Sequence, residues 1–185
     1  MPTRDDAFAL LNEYTKNPNL VKHALAVEAA MRTYARKFGE DEEEWALVGL
    51  IHDFDYERWP SAPDHPLKGA EILAERGYPE HIIGAVKSHA PYLSVPRETL
   101  LEKTLFAVDE LTGFIIAVAL VRPTKSLMDV EVSSVKKKLK QKAFAAAVNR
   151  EEIVEGAQEL GVELDEHIQT VIEALQGVAD ELGLK

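Results

Sequence analysis

The segment EEEWALVGLIHD, residues 42–53, decides the fold. Its acidic residues suit the N-terminus of a helix, where they interact favourably with the helix dipole. From Trp45 to Ile51 the segment is apolar on every side, which predicts a helix at the centre of the protein. This helix ends in His52 and Asp53, and a buried carboxylate is costly unless a positive charge compensates it. A bound metal cation would supply that charge.

Helices rather than strands are predicted on both sides of this segment, because apolar residues recur at three- and four-residue steps and strand-like alternation is absent. Residues such as Gly39 and Pro123 separate the helical stretches. Pro66 is expected at the first helical position after a loop over residues 54–64. The predicted helices cover about residues 5–16, 19–38, 41–53, 66–77, 79–90 and 97–121, followed by two or three more, with Gly161 between the last two. The fold class is therefore all-α.

The length and composition of the chain are typical of one globular domain. The 185 residues favour a single domain over 1–185, and 46% apolar with 29% charged residues is typical of such domains. The absence of cysteine excludes disulfides, thiolate metal ligands and cysteine nucleophiles, and it fits a reducing cytoplasm. Residues 1–17 lack the pattern of a signal peptide, so we expect a cytoplasmic location.

The net charge of −11 bears on the partners of the protein. It argues against binding to a nucleic-acid polymer or to an anionic membrane, although a metal in a cleft could still attract a small phosphorylated ligand. The longest apolar run, residues 114–121, is far shorter than the roughly 20 residues that span a bilayer. That run would serve either in the core or as the surface of a homodimer, and the core is the favoured interpretation.

Six histidine and aspartate residues occupy positions predicted to face inward. His23 lies beside the apolar stripe of the second helix, and His89 follows Ile82 and Val86 at helical spacing. A lone His-Asp pair would be interpreted as a satisfied core histidine and an ordinary aspartate, but six such residues on five helices are an unusual inert core. Imidazole with carboxylate suits iron, manganese, zinc, cobalt or nickel, and magnesium less. The candidate ligands are His23, His52, Asp53, His65, His89 and Asp109.

The order H…HD…D, realised as His23, His52-Asp53 and Asp109, resembles the HD superfamily of metal-dependent phosphohydrolases. The histidines in HPLKGAEIL (His65) and VKSHAPYL (His89) resemble the HDIG-type subset, in which two more histidines hold a second metal. This resemblance spans roughly residues 20 to 113. It implies a helical bundle of the HD-domain type, with an HD core over about 19–121 and a C-terminal helical extension over about 124–185.

Two departures from the family pattern limit the expected activity. The HD pair is followed by Phe54-Asp55, where many relatives have a small pair of residues. The extended motif of cyclic-dinucleotide phosphodiesterases is absent from the segment that begins at His89, so that activity is not expected. The residues after about 120 resemble the helical tail of a group of uncharacterised HD hydrolases, and no substrate follows from it.

The resemblance implies two divalent transition-metal ions, chosen from iron, manganese, cobalt, zinc and nickel. Asp53 would bridge them, and the reaction would be hydrolysis of a small phosphorylated metabolite or nucleotide by a metal-activated water. The substrate could be a phosphomonoester, a phosphodiester or a phosphoanhydride. The first ion would be held by His23, His52, Asp53 and Asp109, and the second by Asp53, His65 and His89.

Basic residues near the predicted ligands are candidates for substrate binding. Lys68, three residues after His65, is the first candidate for contact with a substrate phosphate and, with Asp53, for a catalytic role. Arg58 is a weaker candidate for substrate binding. A solvated helix lysine is an equally weighted interpretation of Lys68.

Other polar residues have both a functional interpretation and an interpretation as ordinary surface residues. Asp55 and Glu110 could accept a hydrogen bond from a ligand histidine or serve as a general acid, and surface carboxylates are at least as strong an interpretation. The lysines between Lys136 and Lys142 could form a nucleotide-binding lip, but a solvated helix face is favoured. His81 and His167 are assigned to the surface.

Two alternatives to the hydrolase stay open at this point. Some relatives with the same six ligands are oxygenases with a mixed-valent di-iron site, and the ligands do not separate the two chemistries. A non-catalytic helical module that binds a ligand is the third interpretation, and the presence of all six ligand residues speaks against it.

Overall fold

A computed structural model describes all 185 residues and contains helices and connecting turns without any β-strand. The all-α prediction is therefore confirmed. Two short 3-10 turns lie at Pro91–Leu93 and Leu127–Asp129. The ten helices are α1 (Arg4–Tyr14), α2 (Pro18–Phe38), α3 (Glu42–Ile51), α4 (Asp64–Glu75), α5 (Glu80–Ser88), α6 (Leu100–Leu120), α7 (Val132–Leu139), α8 (Arg150–Leu160), α9 (Leu164–Gly177) and α10 (Ala179–Leu182).

Helix α3 lies at the centre, as its sequence predicts. The carboxylate of Asp41 caps its N-terminus by accepting from two backbone N–H groups, and every residue from Trp45 to Ile51 is buried. Gly49 is required by the close approach of α2, because a Cβ at this position would lie 2.9 Å from the backbone of Glu28. Since a helix cannot shift easily in a packed core, this contact fixes where the end of α3 points.

The two longest helices, α2 and α6, pack against each other beside α3. Helix α2 ends at Gly39, whose φ of 73° is in the left-handed region that glycine favours. Helix α6 begins at Leu100 rather than near Arg97, because Thr99 and Glu102 form a capping box. Half of the apolar run over residues 114–121 is buried in the core, in agreement with the favoured interpretation, while Leu120 and Val121 at its end are exposed.

The start of α4 differs from the prediction. Pro66 was expected to be the first helical residue, but His65 and Pro66 both have non-helical backbone angles, with ψ of 131° and 18°. A residue before proline is sterically disfavoured in the helical region, so His65 is extended and regular helix follows Pro66. The extended backbone at His65 lets this side chain leave the helix surface and enter the neighbouring cleft.

The C-terminal residues form four helices rather than two or three, and they pack onto the core. Helix α8 approaches α6 closely at Gly156, where a Cβ would lie 2.6 Å from the Cα of Ala107. The surface assignment of His167 is wrong, since this side chain is fully buried. It accepts a hydrogen bond from the Tyr34 hydroxyl at Nδ1 and donates from Nε2 to the carbonyl of Ala107. His81 lies on the surface as predicted, close to Glu44.

None of the ten helices combines the length and the apolar character that crossing a membrane requires.

Candidate metal centre

The six predicted ligands meet at one end of the bundle. They lie on five helices or directly after the end of one, so they converge only in the folded chain. Their ligand atoms form two groups, each close enough to surround one ion, and Asp53 belongs to both. The first group contains His23, His52, Asp53 and Asp109, and the second contains Asp53, His65 and His89. These groups could hold metal ions.

The carboxylate of Asp53 divides its two oxygens between the groups. Its Oδ2 lies 3.5 Å from Nε2 of His52 and 3.8 Å from Nε2 of His23. Its Oδ1 lies 3.1 Å from Nε2 of His65 and 3.2 Å from Nε2 of His89. One side chain therefore offers a different oxygen to each group, which is the arrangement of a bridging ligand.

Two of the buried histidines have their ring orientation fixed by the backbone. Nδ1 of His52 donates to the carbonyl of Gly49 at 2.7 Å, and Nδ1 of His89 donates to the carbonyl of Val86. A carbonyl oxygen only accepts, so each ring must carry its proton on Nδ1. Nε2 is then the ring nitrogen that faces the carboxylates, and its lone pair would be available to a metal ion bound between them.

His65 is oriented in the same way by a carboxylate. Its Nδ1 donates to Oδ1 of Asp55 at 2.8 Å, and Oδ2 of Asp55 accepts from the backbone N–H of Gly69, also at 2.8 Å. Asp55 is fully buried. A Cβ at position 69 would lie 2.8 Å from its carboxyl carbon, so glycine is needed for this approach. Of the three interpretations of Asp55, the structure supports the one in which it accepts from a ligand histidine.

The electrostatics of the cluster favour a cation. Although burial opposes ionisation, the charge of His52 lowers the pKa of Asp53 and of Asp109 well below the usual range. Burial likewise opposes a charge on His52, but the two carboxylates raise its pKa well above the ordinary value. Nε2 of His52 is buried without a hydrogen-bond partner and lies 3.3 Å from Oδ1 of Asp109. An orphaned imidazole nitrogen beside two carboxylates is a donor set that fits a divalent transition metal.

The cluster opens into a cleft of about 580 Å³. Tyr56 and Tyr92 contribute aromatic surface, and the hydroxyl of Tyr92 donates to the carbonyl of His65 at 2.6 Å. Glu110 from α6 and Glu152 from α8 also line the cleft. Burial, and then the charge of the neighbouring Asp109, raise the pKa of Glu110 to about 7.

The structure does not bring the predicted substrate contacts Lys68 and Arg58 into the cleft. The ammonium group of Lys68 lies 3.0 Å from Glu71, one turn along α4, and is on the outer face of that helix. The guanidinium of Arg58 lies 4.1 Å from the ring centre of Tyr14 and donates to a backbone carbonyl of α1. No residue from Lys136 to Lys142 lines the cleft either, in agreement with a solvated face.

The sequence interpretation missed several residues that line the cleft. Tyr56 and Tyr92 lie in turns after α3 and α5, where no periodic pattern indicates their direction. Glu152 reaches the site only through the packing of α8 on α6. The small residues Gly156 and Ala157 are the sequence feature that could have indicated the close packing of α8 on α6.

The fold and the cluster together define an all-α protein with a histidine–aspartate cluster that could hold metal ions. The HD domain family matches residues 20–113, which is just over half of the chain and includes all six candidate ligands. The chain belongs to the HD domain family, whose members are mostly metal-dependent hydrolases. No curated protein and no solved structure matches the chain.

Proposed function

We propose that this protein is a dinuclear metal-dependent phosphohydrolase acting on a small phosphorylated metabolite. The observation that carries the proposal is the division of the Asp53 oxygens between two histidine groups. A site with one metal ion would need only one oxygen of Asp53, and the histidines of the second group would then have no ion to bind. In the proposed site, one ion is held by His23, His52, Asp53 and Asp109, and the other by Asp53, His65 and His89.

The side chains of this chain act mainly by position. Two bound divalent ions would supply a water nucleophile at neutral pH and neutralise negative charge on the phosphoryl group. His52 and His89 keep their Nε2 lone pairs directed inward through their backbone hydrogen bonds. Tyr92 holds the backbone of His65 through its hydrogen bond, and Ala90 and Val148 add apolar surface to the cleft.

Metal content and hydrolysis test this proposal together. The full chain is loaded with manganese, iron, cobalt, zinc or nickel, and its metal content is measured. We expect about two ions per chain, and release of phosphate or a phosphate monoester from one class in a panel of monoesters, diesters and anhydrides. The variants His23→Ala and His89→Ala should each lose one ion, whereas Asp53→Ala should lose both.

The exposed His81 provides a matched control, because His81→Ala removes an imidazole outside the site. This variant should keep the metal content of the native protein. A single ion that is lost equally in all three site variants would contradict the dinuclear assignment. Iron near two per chain with a mixed-valent electron paramagnetic signal, and no hydrolysis of any substrate, would contradict the phosphohydrolase.

A further inference from the structure

The cleft has an unusual charge distribution for a site that binds phosphate. No lysine or arginine is among the residues that line it. Besides the candidate ligands Asp53 and Asp109, it contains two more carboxylates, Glu110 and Glu152. A phosphoryl group in this cleft would therefore have only the metal ions as cationic partners, and the two charged side chains that remain besides the candidate ligands are acidic.

Neither of these two glutamates is neutralised by another residue. Oε2 of Glu110 accepts from the backbone N–H of Asn149 at 2.9 Å, and Oε1 of Glu152 accepts from the side-chain amide of the same residue at 2.8 Å. Each carboxylate keeps its second oxygen without a partner, and neither forms an ion pair. Glu28, by contrast, is a buried carboxylate that forms an ion pair with Arg4.

The cleft is marked as a ligand site independently of its acidic residues. Nε2 of His52 is fully buried, has no hydrogen-bond partner, and lies 3.3 Å from Asp109, the residue next to Glu110. Two tyrosines with 39% and 52% exposure, Tyr56 and Tyr92, line the same cleft. Aromatic faces together with carboxylates are the surroundings in which proteins bind ammonium groups, whereas nucleotide phosphates are usually met by arginine and lysine.

We propose that the substrate carries an ammonium group, which Glu152 and Glu110 bind while the phosphoryl group occupies the metal centre. This inference rests on the proposed function and names the class of its substrate. A phosphate ester of an amino alcohol has the required charges, one anion at the metals and one cation at the glutamates. A nucleoside triphosphate would place several negative charges near Glu110 and Glu152, in a cleft that has no lysine or arginine to receive them.

Binding measured without turnover tests the inference. The manganese-loaded full chain is titrated in a calorimeter with 3-aminopropylphosphonate and with butylphosphonate. The two probes have the same number of heavy atoms, differ by an ammonium in place of a methyl group, and contain no ester bond that could be hydrolysed. Wild-type protein should bind the ammonium probe about tenfold more tightly. Glu152→Gln, which keeps the hydrogen bond from Asn149, should reduce this preference to about twofold or less.

Glu151→Gln is the matched control, because it removes one negative charge from the same first turn of α8 and its side chain is exposed outside the cleft. This variant should keep the tenfold preference. Equal binding of the two probes by wild-type protein, or a preference that Glu152→Gln leaves intact, overturns the inference. Tighter binding of a nucleoside triphosphate than of the ammonium probe also overturns it.

Hydrolysis of aminoethyl phosphate and propyl phosphate, measured in parallel, separates this inference from the proposed function. Equal kcat/KM for the two esters, without a binding preference, refutes the ammonium site and supports the phosphohydrolase. A binding preference that depends on Glu152, with hydrolysis of neither ester nor of any phosphate in the wider panel, supports the ammonium site and refutes the phosphohydrolase.

Discussion

Replacing Asp55 by asparagine leaves the size and shape of this side chain nearly unchanged but removes one acceptor. In the native chain, its two oxygens accept from Nδ1 of His65 and from the backbone N–H of Gly69, both at 2.8 Å. An asparagine has one acceptor oxygen and one NH₂ group, so it must face one of these two donors with a donor of its own. The substitution therefore tests whether Asp55 holds His65 in the form that binds metal.

Two arrangements are open to the Asp55→Asn variant, and each has a cost. With the oxygen toward His65, the buried N–H of Gly69 lacks an acceptor, which costs about 1–3 kcal/mol. With the oxygen toward Gly69, the ring of His65 must accept at Nδ1 and carry its proton on Nε2, the atom that faces Asp53. Loss of such a supporting partner lowers metal affinity about 10- to 100-fold, or about 1.4–2.7 kcal/mol. Because the two costs are similar, we expect both effects in part.

Equilibrium dialysis over a range of free metal concentrations provides the assay. We expect Asp55→Asn to weaken one of the two binding steps by about tenfold or more and to leave the other unchanged, since only the group that contains His65 is affected. Asp64→Asn is the control, because Asp64 is exposed and adjacent to His65 in sequence. Two binding steps of native affinity in Asp55→Asn would refute the reasoning.

Two further predictions concern stability. Gly156→Ala should lower the free energy of unfolding by about 1–3 kcal/mol, because its Cβ would lie 2.6 Å from the Cα of Ala107. The control is Gly177→Ala, which has nothing within 4 Å of the new Cβ, and equal denaturant midpoints for the two variants would contradict the packing of α8. Burial lowers the pKa of His167 from 6.5 to about 4, so this residue is neutral in the folded protein and gains a proton when the protein unfolds between these pH values. Its contribution to the free energy of unfolding is fully present above pH 6.5, and about 3 kcal/mol of it is lost as the pH falls to about 4. Denaturant titrations of His167→Gln at several pH values should lack this part of the pH dependence. Parallel curves of stability against pH for the variant and the native protein would contradict the prediction.

The sequence predicted the features that depend on local interactions. Asp41 and Gly39 mark helix ends because a cap needs only the adjacent turn. The apolar faces of residues 45–51 predicted the central helix, since such a surface is stable only when it is covered on all sides. The six ligand residues could be identified from the sequence because charged groups that face inward require compensation. This requirement does not depend on how the helices are connected.

The features that the sequence did not predict depend on how distant helices pack. His167 was assigned to the surface because acidic residues surround it in sequence, yet those neighbours lie on the outer face of α9. Its own face also carries Val171 and Ala174, both buried, at helical spacing. The direction of Lys68 depended on the backbone at Pro66, where two non-helical residues rotate the following turn. For both the burial of His167 and the direction of Lys68, the neighbouring residues in sequence favour the wrong interpretation at least as strongly as the right one.

The cleft is formed by two parts of the chain. Every proposed metal ligand lies within residues 20–113, whereas Ala147 and Val148 come from the turn before α8 and Glu152 comes from α8 itself. The segment that carries the first two is held by Arg150, whose guanidinium donates to several backbone carbonyls between residues 139 and 148. Because these bonds involve the backbone, side chains at 147 and 148 can change without loss of the loop. In the proposed hydrolase, the residues of this turn that would contact a substrate can therefore vary while the proposed metal ligands and their supporting hydrogen bonds stay the same.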